Sequence, residues 1–272
     1  MKKTALLVLL SGLMACQSEL KNQDNDSTSV AQEKVQQDTL TYTYDSVKVY
    51  SKTPVSPNKQ ITDTAKASFM YPVFQDSALN RIVEQDALYS NDPDARKYTS
   101  YRDLVKSFMQ EFDAYDKEND DRNQIWFRDA TIKVLPQWKS YMALEYSFIE
   151  YMGGAHPNSM VIYKNYNSVT KKQVKLDELI QPGKQAELTA IAEKIFRKNE
   201  KLSATARLSE QFFFDKGVFA LNDNFYLSKD GIHFLYNAYE IKAYAYGRTS
   251  LVIPYASIKH ILAPNPILPV QL

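Results

Sequence analysis

Gly153-Gly154-Ala155-His156-Pro157 is the most pointed run in this 272-residue sequence. Two adjacent glycines permit backbone angles that other residues avoid, so a tight turn or bulge is expected there. Such a turn can present His156 to a ligand or metal. It can equally be a hairpin in which the glycines shape the chain and the histidine hydrogen-bonds locally, and a motif this short favours that structural reading. The other histidines, His233 and His260, do not stand with it at the i, i+4 spacing that puts two metal ligands on one helix face. No metal and no cofactor is expected. His233 sits between Ile232 and Phe234, so in a strand it faces solvent or a sheet neighbour.

Nucleophilic chemistry has no signature: there is no G-x-S-x-G elbow, and no serine stands beside an obvious base. Asp113, Asp116, Glu118, Asp120 and Asp121 fall in or beside a polar run, which reads as a solvated loop. Glu145 and Glu150 are the nearest approach to an acid/base pair. Five residues apart on one regular strand, they face opposite sides. No catalytic residue is assigned. Nineteen tyrosines remain. Tyr141, Tyr151, Tyr163, Tyr166, Tyr236, Tyr239, Tyr244 and Tyr246 crowd the strand-rich segments. Exposed, they stack on sugar rings or anchor a protein partner; buried, they are sheet residues with a polar tip, and most are expected to be buried. The candidate ligand-binding set is Tyr151, Gly153, Gly154, His156, Tyr239 and Tyr246.

The elements that would position these residues follow from periodicity. Alternation over 39–52 predicts a first strand, and the Tyr71-Pro72 pair keeps 69–74 extended. Leu79, Ile82, Val83 and Ala87 lie at helical spacing from Ser77 onward. Ser100 and Asp103 form a capping box for a second helix with Tyr101, Leu104, Val105, Phe108, Phe112 and Tyr115 on its apolar face. Alternation marks strands around 130–134, 142–149 and 161–166. Pro182-Gly183 precedes a helix to about Lys198 that buries Leu188, Ile191, Ala192, Ile195 and Phe196. A short helix is expected over 202–214. Strands follow at 225–227 and 232–236 around a Lys229-Asp230-Gly231 turn, with Gly231 at positive φ. Further strands are expected at 239–246 and 250–254, then a helical turn or two over 256–262. Short connections between strands favour an α+β fold of antiparallel sheets with packed helices over a parallel βαβ array.

The N-terminus carries a placement signal. Lys2 and Lys3 precede an apolar run from Thr4 to Leu13, too short for a membrane span, which reads as a secretory signal over 1–15. Leu13-Met14-Ala15-Cys16 resembles the lipobox of bacterial lipoproteins, so Cys16 is expected to be lipidated and to anchor the chain to a membrane. It is the one cysteine, which removes disulfides and thiol catalysis. Residues 16–38 read as a flexible tether. Residues 39–124 and 125–272 are expected to be an N-terminal and a C-terminal α+β part. The full sequence has 33 Lys+Arg against 32 Asp+Glu. Loss of Lys2 and Lys3 with the signal leaves no basic excess, so nucleic acid is not an expected partner. Gln17-Ser18-Glu19-Leu20 has no Asp after the cysteine, which points to the periplasmic face of an outer membrane.

The segment from Phe148 to Asn158, FIEYMGGAHPN, resembles the signature of the exported bacterial family called domain of unknown function 3298. Val174 to Leu179, and the run from Asp230-Gly231-Ile232-His233-Phe234 to Val252-Ile253-Pro254-Tyr255, are similar to further parts of it. Residues 44–116 resemble its frequent companion, domain of unknown function 4163. The resemblance implies an envelope-facing binding domain, as in the extracellular part of a lysozyme-sensing anti-sigma factor and the N-terminal region of a peptidoglycan deacetylase. It does not imply catalysis, and it carries over no ligand-contacting residue. Three readings stay open. The first is a non-enzymatic envelope lipoprotein binding a protein or glycan, with a lysozyme-like protein or peptidoglycan as candidates. The second is an enzyme acting on envelope polysaccharide through carboxylates and His156. The third is a structural envelope spacer.

Overall fold

The computed structural model describes residues 39–52, 55–58, 61–89, 95–118 and 124–269, with the backbone alone at 55–58 and 61–62. The expected signal peptide, Cys16 and the tether lie outside the described residues. β1 (Tyr42–Tyr50) leads through two short strands, β2 (Val55–Asn58) and β3 (Ile61–Asp63), into β4 (Lys66–Phe74). Two helices follow, α1 (Ser77–Leu88) and α2 (Tyr101–Glu118). Asp76 caps α1, its Oδ1 accepting from the Ala78 N–H at 2.9 Å. At α2 the expected cap forms: the Asp103 N–H donates to Ser100 Oγ at 3.1 Å, and Asp103 Oδ2 accepts from the Thr99 N–H at 3.0 Å.

β5 (Phe127–Trp138), β6 (Tyr141–Tyr151), β7 (Asn158–Asn167) and β8 (Lys172–Gln173) complete a six-stranded sheet in the order β1-β4-β5-β6-β7-β8. Every neighbouring pair is antiparallel except β4 and β5, which run parallel because the α1–α2 crossover returns the chain to the same end. The expected antiparallel character therefore holds with one exception. The β4–β5 pairing also carries the sheet across residue 124. After α3 (Gln185–Asn199) come β9 (Phe225–Leu227), β10 (Gly231–Tyr236) and β11 (Thr249–Pro254), an antiparallel sheet ordered β11-β10-β9, and the short α4 (Tyr255–Ile258).

β6 is the wall between two cores. Its Met142 and Leu144 join Phe69, Leu104, Phe108 and Phe112 on the helix side. Its Tyr141 and Ala143 point the other way, to Leu188, Phe196, Phe225, Phe234 and Ile253. Strict two-residue alternation lets one strand serve both.

Three expectations fail. Residues 202–214 contain no α-helix, only a 3-10 turn at Leu208–Glu210. Phe212 and Phe214 are both buried against Phe196, with Phe213 between them 59% exposed. That two-residue alternation needs extended backbone, since a helix would separate the two buried rings around its axis. Residues 239–246 are a turn and a 3-10 turn (Tyr244–Tyr246) in place of a strand, because Tyr239 and Gly247 both have positive φ. Gly231 does not have positive φ; a Cβ there would lie 2.4 Å from the Ile253 carbonyl oxygen, so glycine is needed for close approach of β10 and β11.

Candidate functional site

The β6–β7 connection is shaped by its glycines. Gly153 and Gly154 have φ of 96° and 98°. The Tyr151 hydroxyl closes the turn by donating to the Gly154 carbonyl at 2.9 Å. A Cβ on Gly153 would meet Gln124 Oε1 at 2.0 Å, so the chain also passes close to the entry of β5. His156 then lies on the aromatic residues of the segment after β10. Its ring stacks on Tyr244 with centroids 3.7 Å apart and planes 12° apart. Its Nε2 is 3.1 Å from the Tyr239 hydroxyl and its Nδ1 is 3.0 Å from the Pro157 carbonyl oxygen. A carbonyl only accepts, so these partners assign the proton to Nδ1 and make Nε2 the acceptor from Tyr239. Tyr244 also donates to the Pro157 carbonyl, at 3.0 Å.

Five of the six candidate residues therefore meet: Tyr151, Gly153 and Gly154 form the turn, and His156 bonds Tyr239. Tyr246, 75% exposed, shares a 3-10 turn with Tyr244. The histidine does hydrogen-bond as the structural reading requires, but its side-chain partner lies 83 residues away. The result is an exposed aromatic ledge. Tyr244, its central ring, is the residue sequence reasoning left out of the set; nothing in its spacing distinguishes it from the other tyrosines.

Asparagines hold the two halves of the ledge together, and they too were missed. Along the outer edge of β7, Asn237 Oδ1 accepts from the Val161 N–H at 2.8 Å, and Asn224 Oδ1 accepts from the Tyr163 N–H at 2.7 Å. The Nδ2 groups of both donate back to the Val161 carbonyl at 2.9 Å. Side-chain amides thus stand where a further strand's backbone would. Buried Asn165 continues the seam, accepting from the Tyr141 hydroxyl at 2.6 Å and donating to the Phe225 carbonyl at 2.7 Å. An Asn-Asp-Asn run before a strand was the available signal.

The remaining chemistry is structural. Contrary to the sequence reading, a serine does stand beside a histidine: Ser228 Oγ is 2.9 Å from His233 Nε2. The same hydroxyl donates its one proton to the Asp230 carboxylate, which holds that carboxyl below its usual range. His233 Nε2 is therefore the donor to Ser228, and Nδ1 accepts from the Tyr226 hydroxyl at 3.3 Å. In that tautomer the ring cannot take the serine proton; the cluster locks the β9–β10 turn. His260 meets Glu187 at 2.8 Å. Glu145 and Glu150 occupy opposite faces of β6 and pair across to Lys133 (3.8 Å) and Arg128 (2.9 Å). Burial and the nearby Glu145 push the Tyr163 hydroxyl up to about 12. Among the described residues, no group of three or more His, Cys, Asp or Glu side chains converges as metal ligands do.

Residues 177–256 match the family described as protein of unknown function DUF3298. This chain carries a DUF3298 domain. Residues 58–159 match the family described as deacetylase PdaC. The ledge spans both matches, with its turn and His156 from the PdaC-like segment and Tyr239, Tyr244 and Tyr246 from the DUF3298 domain. Solved structures agree with the fold. A DUF3298-family protein of Bacteroides fragilis superimposes with a TM-score of 0.63 at 23% identity, over 85% of this chain and 97% of that one. One from Pseudomonas aeruginosa gives 0.67 at 21% identity, over 86% and 99%. Comparison with curated proteins finds no match.

Proposed function

We propose that this DUF3298 protein is a non-enzymatic, lipid-anchored envelope protein whose aromatic ledge binds a protein or glycan ligand, with lysozyme-like proteins and peptidoglycan as the candidates. The observation that carries the reading is the locked stack of His156 on Tyr244, with Tyr239 beside it and 58% exposed. Rings fixed by their neighbours lose little entropy on binding, and tyrosine offers a broad apolar face with a polar tip. Such rings suit the faces of sugars and the centres of protein interfaces. The anchor rests on Cys16 and the apolar run before it, and the proposed location is the periplasmic face of an outer membrane.

Sedimentation of the protein with purified peptidoglycan, and pull-down with lysozyme, test the ligands. Tyr239→Ala is expected to weaken retention by about tenfold or more, as an anchoring aromatic does. Retention by neither ligand, or retention indifferent to Tyr239→Ala and Tyr246→Ala together, would remove the proposal. Labelling with a palmitate analogue tests the anchor, and Cys16→Ala must abolish the label.

A further inference from the structure

The helices α1 and α2 pack on β1 and β4. Beyond the end of α1, no helix among the described residues covers the part of the same sheet face that carries Phe148, Met160 and Ile162. A cavity of about 220 Å³ lies there, with Asp86, Tyr146, Phe148, Met160, Ile162 and Lys164 among its lining residues. Met160 and Ile162 are exposed apolar side chains. At the floor, the Tyr166 hydroxyl donates to Asp86 Oδ2, and the Tyr146 hydroxyl lies 3.2 Å from that of Tyr166. Asp86 Oδ1 has no partner among the described residues, and the Lys164 ammonium makes no ion pair or hydrogen bond among them. The cavity thus combines an apolar aromatic floor with one free carboxylate oxygen, the unpaired Lys164 ammonium, and Arg128, which pairs with Glu150 while its buried Nε has no partner among the described residues.

We infer that this groove is a binding site for an acidic sugar, one pyranose ring bearing a carboxylate. The size and the chemistry each narrow the choice. A cavity of this volume takes about one such ring, and mostly apolar walls with a few convergent polar groups are the ordinary make-up of a ligand site. A fatty chain would cover Asp86 and Lys164 without giving either a partner, a costly burial. A neutral sugar would satisfy Asp86 through a hydroxyl and leave Lys164 alone. A ring with an apolar face against Met160 and Ile162, hydroxyls toward Asp86 and Tyr146, and a carboxylate toward Lys164 satisfies all of them.

The site is separate from the ledge and is read with monosaccharides, so either assignment can fail alone. N-acetylmuramic acid and N-acetylglucosamine differ by a lactyl carboxylate, and glucuronic acid and glucose by the oxidation of one carbon. Calorimetric titration of the full chain with each pair is expected to show the acidic member binding about tenfold tighter, because a hydrogen bond to a charged group is the difference. Lys164→Gln is expected to erase that preference. Met160→Trp, on an exposed position that can hold the ring without refolding, fills the groove and is expected to abolish binding of both members. Equal binding of the acidic and neutral sugars overturns the inference. So does a preference that survives Lys164→Gln, binding that survives Met160→Trp, tighter binding of a fatty acid or an acidic peptide, or no binding at all.

Discussion

Gly154 and Gly231 exclude side chains for unlike reasons, and the difference is measurable. Gly154 has positive φ and open space around it, so alanine there costs only backbone strain, roughly 1–2 kcal/mol. Gly231 has ordinary angles but faces a β11 carbonyl oxygen that cannot swing away, so Gly231→Ala is expected to cost more, roughly 3 kcal/mol. Urea midpoints of the two variants check the order, and a larger loss at Gly154 would show that clearance at the β10–β11 pair is not what glycine provides. Both glycines were legible as special positions. Only the first was legible for the right reason, because φ preference is local whereas the approach of Ile253 is set by strand register. His156 shows the same limit: its turn could be read from its neighbours in sequence, its partners Tyr239 and Tyr244 could not. Ser228 and His233 stand five positions apart across the Lys229-Asp230-Gly231 turn; the hairpin was legible, the contact of the two side chains was not.

Elements whose cause lies within a few residues were the legible ones. The α2 cap, the alternation of β6 and the buried Leu188, Ala192 and Phe196 of α3 all appear where their spacing puts them. The segment 202–214 was misread because its buried rings pack on the distant Phe196, and 239–246 because Tyr239 takes a positive φ that its residue type does not announce. The edge of β7 is the element-scale feature with the sharpest consequence for stability. Asn224→Ala removes the partner of the Tyr163 N–H and leaves the Leu235 carbonyl with only its 2.8 Å bond from Asn222 Nδ2 among the asparagine side chains. The expected loss is roughly 2–3 kcal/mol, the scale set by unmade bonds at part-buried polar groups. The bared edge is also expected to pair with other chains, since unpaired strand edges template association. Denaturant melts and concentration-dependent light scattering check both effects; a variant as stable and as monodisperse as the parent would show that water satisfies this edge unaided.

At the scale of the molecule, an α+β fold with mainly antiparallel sheet was legible from short connections, and the one parallel pair was not, since nothing local says that α1 and α2 cross over. The tyrosines report on this level. Burial is the main cause raising the hydroxyls of Tyr101, Tyr141, Tyr146, Tyr166, Tyr236 and Tyr255 above their ordinary value of 10.0. A group whose pKa is raised by folding stabilises the fold in full below its unfolded value and ceases to as pH climbs toward the folded one. Stability is therefore expected to hold up to pH 10 and to fall above it. Ultraviolet titration should show two classes of tyrosine, the second ionising only with the loss of circular dichroism, and a single smooth class would refute the assignment.

The double duty of β6 bears on descent. The PdaC-like match ends at residue 159, two residues into β7, and the DUF3298 match begins at residue 177, after that strand has closed. Yet Tyr141 and Ala143, inside the first match, are core residues of the second. Two segments that share a wall cannot be shuffled like beads on a string. Each is half of a joint, and a lineage that kept one without the other would have to rebuild the missing face.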